Sequence, residues 1–430
     1  MEHGDISRTT NLPDNPDGNR RSSITIDHHK SVRDRTWTSP PAFDAVFDTQ
    51  DDNACTYNKI VAPTLPVLLK GGSCTFFAYG HSGSGKTHTI IGYDHEHSDQ
   101  LGLCLAAARD VFTSLDQLNH EGQVEDMGIG LSLIELRKNA AFDLLNQHTK
   151  CHIREGHDGK THIRGPTESI EGGKVKVCPV VQRPCWTFES FRKEFHEALL
   201  NRTIGSSSVH DQSSRTHAVI ELEVINQSLV EARQALYDRQ SELVPVGKRA
   251  DDVSIEEQVK GVIRTPEGGW APNPDYQIDQ ERIDAALAEK AIYESRVKSA
   301  EEHVEQILAT RPCLGGKMLF VDLAGAEYQM EKGSQPQLVK QTPQERQEGR
   351  QINTDLLALK EVIRAWSTGQ PRIPFRSSPL TMVLRDHFEK LGEGSAAMIV
   401  TVSPAKEHLT ATLNTLKYGG LVGDPTVRGP

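Results

Sequence analysis

No stretch of this sequence is apolar for long enough to span a bilayer as a helix. The opening MEHGDISRTTNLPDNPDGNRR lacks the apolar core of a signal peptide, so secretion is not expected. Its seven cysteines form no C-x-x-C pair and are odd in number. That excludes a disulfide framework and a cysteine zinc site, and reads as reduced cytosolic thiols. Positive charge is also short: the net charge is -11 and the pI about 5.9. A general nucleic-acid-binding surface is therefore excluded, and any acidic partner must be met by a local basic patch. What remains, with 36% apolar and 25% charged residues over 430 positions, is a globular chain: one large domain with additions.

Residues 1–42 are rich in Asn, Asp, Pro, Gly and Arg and read as a disordered tail, with at most a short strand at SSITID. From 43 to 226, strand-like runs (CTFFAYG, IGLSLIELR, HAVIELEVI) alternate with helix-like ones (FESFRKEFHEALLN), the signature of a layered α/β fold with a central sheet. Residues 227–313 change character. In DQERIDAALAEKAIYESRVKSAEEHVEQILA, Ile283, Lys290, Val297 and Val304 fall seven apart, as do Ala286, Tyr293, Ala300 and Ile307. Leu229, Leu236 and Leu243 repeat likewise. These are a and d positions, and they predict an antiparallel coiled-coil hairpin inserted into the domain; two surface helices packed on the main body are the alternative. The α/β pattern resumes over 314–420 with KMLFVDLAG, EGRQINTDLLALKEVIRAW, SAAMIVTVSP and ATLNTLKYGGL, and 421–430 read as a tail.

The chemistry-bearing stretch is Gly80-His81-Ser82-Gly83-Ser84-Gly85-Lys86-Thr87, which fits G-x-x-x-x-G-K-[ST] between a buried strand and a helix start. The glycines let backbone N–H groups turn inward around phosphate oxygens, and the following helix points its positive end at the same charge. Lys86 would reach the β- and γ-phosphates and the Thr87 hydroxyl would ligate magnesium. Two later stretches could sense the γ-phosphate. In VDLAGAE, Asp322 ends a strand and could hold a magnesium-bound water, with Gly325 and Glu327 following. HDQSSRTHAVIELEV offers Ser213, Ser214 and Arg215 just before another strand. Alone, each of these two is weak.

Together and in this order, the three stretches resemble the kinesin motor domain: FAYGHSGSGKTHT its P-loop, SSRTH its first switch, DLAGAE its second. INTDLLALKEVI, IPFRSSPLTMVLRD, MIVTVSP and TLNTLKYG continue the likeness over most of 43–226 and 314–420. The resemblance implies a P-loop NTPase with a mostly parallel or mixed sheet flanked by helices, binding ATP and Mg2+. It implies that Ser213 closes over the γ-phosphate, that Ser214 joins Thr87 and Asp322 around the metal, that Gly325 senses the γ-phosphate, and that Arg215 and Glu327 form the ion pair that positions the attacking water. It further implies a cytoplasmic, cytoskeletal protein that meets microtubules through Lys360, Arg364, Arg372, Arg376 and Arg385, with no nucleic-acid or membrane partner. DLLALKEVIRA, LAAARDVF, QERQEG and VLRDHF lean towards the internal-motor, microtubule-depolymerising class, although Val362 stands where that class has Cys.

Departures from the family pattern are as informative. The first strand with its Arg-x-Arg-Pro motif against adenine is not visible, leaving Tyr79 as the aromatic side chain to pack near the base. His210 replaces an Asn of the first switch, and Thr216 its final Ser. Ser377 and Pro379 replace an Asp and a Lys expected near tubulin. KSVRD at Lys30 is only an echo of the depolymerising class's Lys-Val-Asp loop. Without a neck linker after Gly420, processive walking by this chain alone is not expected. The insert joins the strand after the first switch to the strand before the second, so it should project from the sheet end opposite the nucleotide, either as a partner-docking arm, the favoured reading, or as an inert extension. A microtubule-dependent ATPase is the expected function; a catalytically weak kinesin-fold scaffold with an incomplete pocket is the other reading. No guanine-reading motif supports a GTPase.

Overall fold

The computed structural model describes residues 6–11, 21–28, 36–93, 100–121, 126–156, 159–170, 174–176, 178–203, 215–266, 268–326, 343–389 and 394–423. The chain begins with a small antiparallel meander of Ile6–Asn11 (β1), Ser23–His28 (β2) and Trp37–Thr38 (β3). Two short helices, Asn53–Thr56 (α1) and Leu65–Leu68 (α2), lead into Ser73–Tyr79 (β4), Lys86–Ile90 (α3) and Leu103–Glu121 (α4). An antiparallel run follows: Met127–Arg137 (β5), Ala140–Asp143 (β6), Thr149–Glu155 (β7) and Thr161–Arg164 (β8). Beyond it lie a small ribbon of Glu168–Ile170 (β9) with Lys174–Lys176 (β10), then Arg183–Cys185 (β11), Phe188–Thr203 (α5) and His217–Asn226 (β12). The insert contains Gln227–Lys260 (α6), Val262–Arg264 (β13), Trp270–Pro272 (β14) and Gln280–Leu308 (α7). The chain closes with Lys317–Asp322 (β15), Pro343–Ser367 (α8), Pro379–Glu389 (α9), Ser395–Val400 (β16) and Leu409–Gly423 (α10).

The main sheet runs β16-β4-β15-β12-β5-β6-β7-β8, with β11 paired to the first half of β5. It is mixed, as the sequence suggests. Only β16, β4 and β15 are mutually parallel, and β12 and β5 continue antiparallel. Every residue of β4 is buried, because both faces are covered. Cys74, Phe76 and Ala78 enter one core with α4 and α5, whereas Phe77 and Tyr79 enter the other with α8 and α9. Phe76 stacks on Phe320 of β15 at 5.1 Å, tying the two central parallel strands together.

Two segments differ from expectation. Residues 1–42 are not a loose tail where they are described: besides the strand at SITIDH, β1 and β3 pair on either side of it. Ile24 and Ile26 point inward and, with Trp37 and Phe43, cover Leu409, Leu413 and Leu416 of α10. A two-isoleucine alternation inside a polar stretch is too short a signal to outweigh its composition. The helix after the P-loop is also short, ending at Ile90, where Gly92 turns with φ +84° and packs on Gly102.

The insert forms the expected antiparallel helix pair. Along α7, the seam positions Ile283, Ala286, Lys290, Tyr293, Val297, Ala300, Val304 and Ile307 are withdrawn from solvent, while most of their neighbours are exposed. On α6, Leu229, Leu236, Leu243, Ala250 and Glu257 continue a seven-residue repeat on the facing side. Cross-pairs set the register: Arg249 with Glu289 at 3.3 Å, Lys290 with Asp251 at 3.1 Å, and Arg282 with Glu257 at 2.6 Å. At the tip, the stretch between the two helices folds as the β13–β14 ribbon. The pair joins Asn226 to Lys317, and those strand ends lie opposite Asp322 and Tyr79 along the sheet.

Candidate nucleotide site

Three strand ends meet at one edge of the sheet: the C-termini of β4 and β15 and the N-terminus of β12. β4 delivers Gly80 to Thr87 there as a turn in which Gly83 and Gly85 take φ of +77° and +100°. Those values, rather than lack of room, call for glycine, since a Cβ added at either would meet nothing within 4 Å. The loop thus presents an open concave backbone. Gly80 at its base is tight instead, against Ser84 and Thr401, and Ser84 Oγ and Thr401 Oγ1 hydrogen-bond at 2.7 Å.

The Lys86 ammonium is buried beneath this loop, donating to the carbonyls of His81 at 2.8 Å and Gly80 at 3.2 Å. Burial pulls its pKa down to about 8, with Asp322 opposing and Arg202 adding to the shift. The Thr87 hydroxyl donates to Asp322 Oδ2 at 2.8 Å. His81 is buried, its Nδ1 2.7 Å from the Ser82 carbonyl oxygen and its ring 4.9 Å from that of His408; burial lowers its pKa.

The loop after β15 is stitched to the Gly80–Thr87 loop by backbone. Ala326 N–H donates to the Gly80 carbonyl at 3.1 Å, and the Gly325 backbone lies so close to Ser82 that a side chain would clash with the Ser82 amide. Ala324 N–H donates to His217 Nδ1 at 3.0 Å, which joins this loop to β12. Arg215, two residues earlier, lies 3.9 Å from Glu348 of α8. Glu348 is nearly buried, with Arg137 at 3.2 Å and Lys138 at 3.4 Å. Ser213, Ser214, His210 and Glu327 lie outside the described residues.

Two results alter the expected site. Tyr79 does not face a base: the alternation of β4 turns it into the core, 3% exposed and stacked on Tyr418 at 3.9 Å. In its stead comes a residue the motifs did not single out. Arg202, in the last turn of α5, is buried and donates to Asp322 Oδ2 at 2.9 Å and to the Thr216 carbonyl at 3.2 Å. The signal was an arginine in the last turn of an amphipathic helix just ahead of the Ser-Ser-Arg stretch, and only the fold could bring it to Asp322.

The residues suit a magnesium–triphosphate group. Asp322 is fully buried and its Oδ1 has no hydrogen-bond partner, an orphaned anionic oxygen beside the Thr87 hydroxyl and the open P-loop. Among the described residues no cluster of three or more metal-ligating side chains exists, so the metal would be shared with phosphate oxygens.

Of the cations proposed for a filament, Lys360 and Arg364 lie on α8, Arg364 and Arg372 are exposed, and Pro379 opens α9. Arg376 and Arg385 are engaged within the chain: Arg376 meets Glu155 at 2.6 and 2.8 Å, and Arg385 meets Glu155 at 3.0 Å and Glu389 at 2.8 Å. These hydrogen bonds, Arg376's first, hold the Glu155 carboxyl down at about 2.

Comparison with known proteins supplies the context. The kinesin motor domain family profile matches residues 7–246 and 290–423, leaving the distal half of the hairpin unmatched. Kinesin-like protein KIN-13A of Oryza sativa subsp. japonica is 29% identical over 381 residues, covering 88% of this chain and 34% of the relative. Kinesin-like protein KIN-13B of Arabidopsis thaliana is 28% identical, covering 88% and 39%. The chain thus spans little more than a third of these relatives. Among solved structures, the motor and motor homology domain of Kar3Vik1 superposes with a TM-score of 0.60 at 20% identity, over 98% of this chain and 81% of that one. The motor domain of the Kar3-like kinesin from Ashbya gossypii gives 0.56 at 20%, over 97% and 93%. Among the described residues, no helix is long and apolar enough to cross a membrane.

Proposed function

The chain belongs to the kinesin motor-domain family, and on that footing we propose that it is a microtubule-associated ATPase that couples magnesium-dependent ATP hydrolysis to filament binding, movement or depolymerisation. The observation that carries the reading is the meeting of Lys86, Thr87 and Asp322 at one sheet edge beneath an open glycine loop. In this reading backbone amides of residues 80–87 hold the phosphates, and Lys86 leaves the carbonyls of Gly80 and His81 for a phosphate oxygen. Thr87 and Asp322, joined by Ser214, orient the metal shell. Magnesium, when bound, neutralises charge on the transferred phosphoryl group. Ser213 closes over the terminal phosphate, Gly325 contacts it, and Arg215 with Glu327 orients the attacking water once both loops are closed. The resemblance to relatives named KIN-13 supports the depolymerising branch that the α8 and α9 motifs suggest. Lys360, Arg364, Arg372, Arg376 and Arg385 are the proposed filament contacts, and the 227–313 hairpin a protein-docking arm. The cytoskeleton is the corresponding location.

ATP turnover with and without microtubules tests this, on the wild type and on Glu327→Ala. The expected result is stimulation by microtubules that the substitution abolishes. Binding of Mg·ATP without stimulation would favour the scaffold reading, and retained stimulation in the variant would remove Glu327 from its role.

A further inference from the structure

Behind the nucleotide-facing residues lies a buried carboxylate to which that reading gives no task. Glu135 on β5 is fully buried and its two oxygens face different partners. Oε2 accepts a hydrogen bond from His148 Nε2 at 2.7 Å, and Oε1 stands 3.8 Å from Arg202 Nε. Arg202 donates to Asp322 Oδ2, the oxygen that also accepts the Thr87 hydroxyl. Four side chains of alternating character therefore lead from the surface, where the His148 side chain is 29% exposed, to the aspartate beside the P-loop.

The placement of His148 is a second, independent observation. Asn146–Thr149 is a turn closed by Thr149 N–H on the Asn146 carbonyl at 2.9 Å, with positive φ at both central residues, 50° at Gln147 and 59° at His148. This is the geometry for which Asn-Gly is favoured, and a Gln-His pair adopts it at a cost. The return is a ring lying flat on Phe142, centroids 4.5 Å apart at 9°, which aims Nε2 at Glu135. Backbone strain that persists because surrounding contacts dictate it is what a site-supporting residue is expected to carry.

We propose that His148 is a positioning residue for the magnesium–nucleotide site, acting through Glu135 and Arg202 on Asp322. This rests on the nucleotide-binding reading above. Glu135 Oε1 has no hydrogen-bond partner, so without the imidazole N–H neither oxygen of this buried carboxylate is paired, which is unfavourable. The Arg202 guanidinium stands 3.8 Å away, and closing that gap would draw it from Asp322. Asp322 then loses the donor that orients it, and holds the metal shell less well.

The test is equilibrium binding of a fluorescent ADP, titrated with MgCl2, to the full chain. His148→Phe keeps the stack on Phe142 and removes the donor; His148→Gln returns an amide N–H at similar reach. The expected result is a five- to tenfold rise in half-saturating Mg2+ for His148→Phe and recovery to within about twofold for His148→Gln. An unchanged midpoint in His148→Phe overturns the proposal. So does a rise that His148→Gln fails to reverse, because a packing defect would behave that way. If His148→Phe does not fold, His148→Leu should raise the midpoint equally, and adding Glu135→Gln, which removes the charge that draws Arg202 away, should return it to within about twofold; no rise, or a rise that the second substitution leaves in place, overturns the proposal. A wild type without Mg2+-dependent nucleotide binding would instead overturn the nucleotide-binding reading itself.

Discussion

Lys86 illustrates how far single residues could be read. Its type and spacing predicted a phosphate-binding lysine, and the fold adds that it is buried on the carbonyls of Gly80 and His81, with its pKa drawn down to about 8 from 10.5. Below pH 8 the side chain is charged in both the empty and the liganded pocket. Between about 8 and 10.5 it is largely neutral in the empty folded pocket, whereas a bound phosphate would hold it protonated. Nucleotide binding is therefore expected to take up a proton at pH 9 and almost none at pH 7. Calorimetry in two buffers of different ionisation enthalpy measures this, and equal proton uptake at both pH values would contradict it. Tyr79 and Arg202 mark the limits at this scale. An aromatic beside a P-loop motif gives no indication of which sheet face it will occupy, and β4 turns Tyr79 inward. An arginine 120 positions from its aspartate carries no local sign of the pairing.

Elements with a strong period were the most legible. The heptad positions read in the insert are among those withdrawn from water, because a 3.5-residue repeat places such side chains on one helix face. The tip ribbon and the β1–β3 meander were missed because each is only a few residues of weak alternation whose strands exist through pairing and packing on a neighbour. The hairpin also allows a direct separation of functions. A Cβ on Gly247 would lie 3.9 Å from Lys290, so the two helices face each other where the family match stops and resumes. Replacing 248–289 with a short Gly/Ser turn is expected to leave basal ATP turnover within about twofold of the intact chain, since the excised part projects from the sheet end opposite the P-loop. A loss of turnover beyond tenfold in a folded variant would mean the arm is coupled to the site.

Charge is a property of the whole molecule. A chain with net charge -11 can approach an acidic filament only through a local cationic surface, and Glu155 occupies two of the cations proposed for it. Glu155→Gln is expected to tighten microtubule binding about two- to fivefold in low salt, the range of an exposed ion pair, and the gain should fade as salt screens it. Cosedimentation at two ionic strengths measures this; unchanged affinity in low salt would remove Arg376 and Arg385 from the contact.

The sequence alone determined the order of the phosphate-handling motifs, the α/β class and the presence of two long helices in the insert. Those signals are local or strictly periodic, so the covalent chain carries them without reference to its neighbours. Only the tertiary structure decided that Tyr79 is core, that Arg202 and Glu135 stand behind Asp322, that Glu155 spans two arginines, and that Ile24, Ile26, Trp37 and Phe43 cover α10. Each of these joins residues far apart in the chain, and such pairs become neighbours only when a sheet of mixed direction brings its strand ends together.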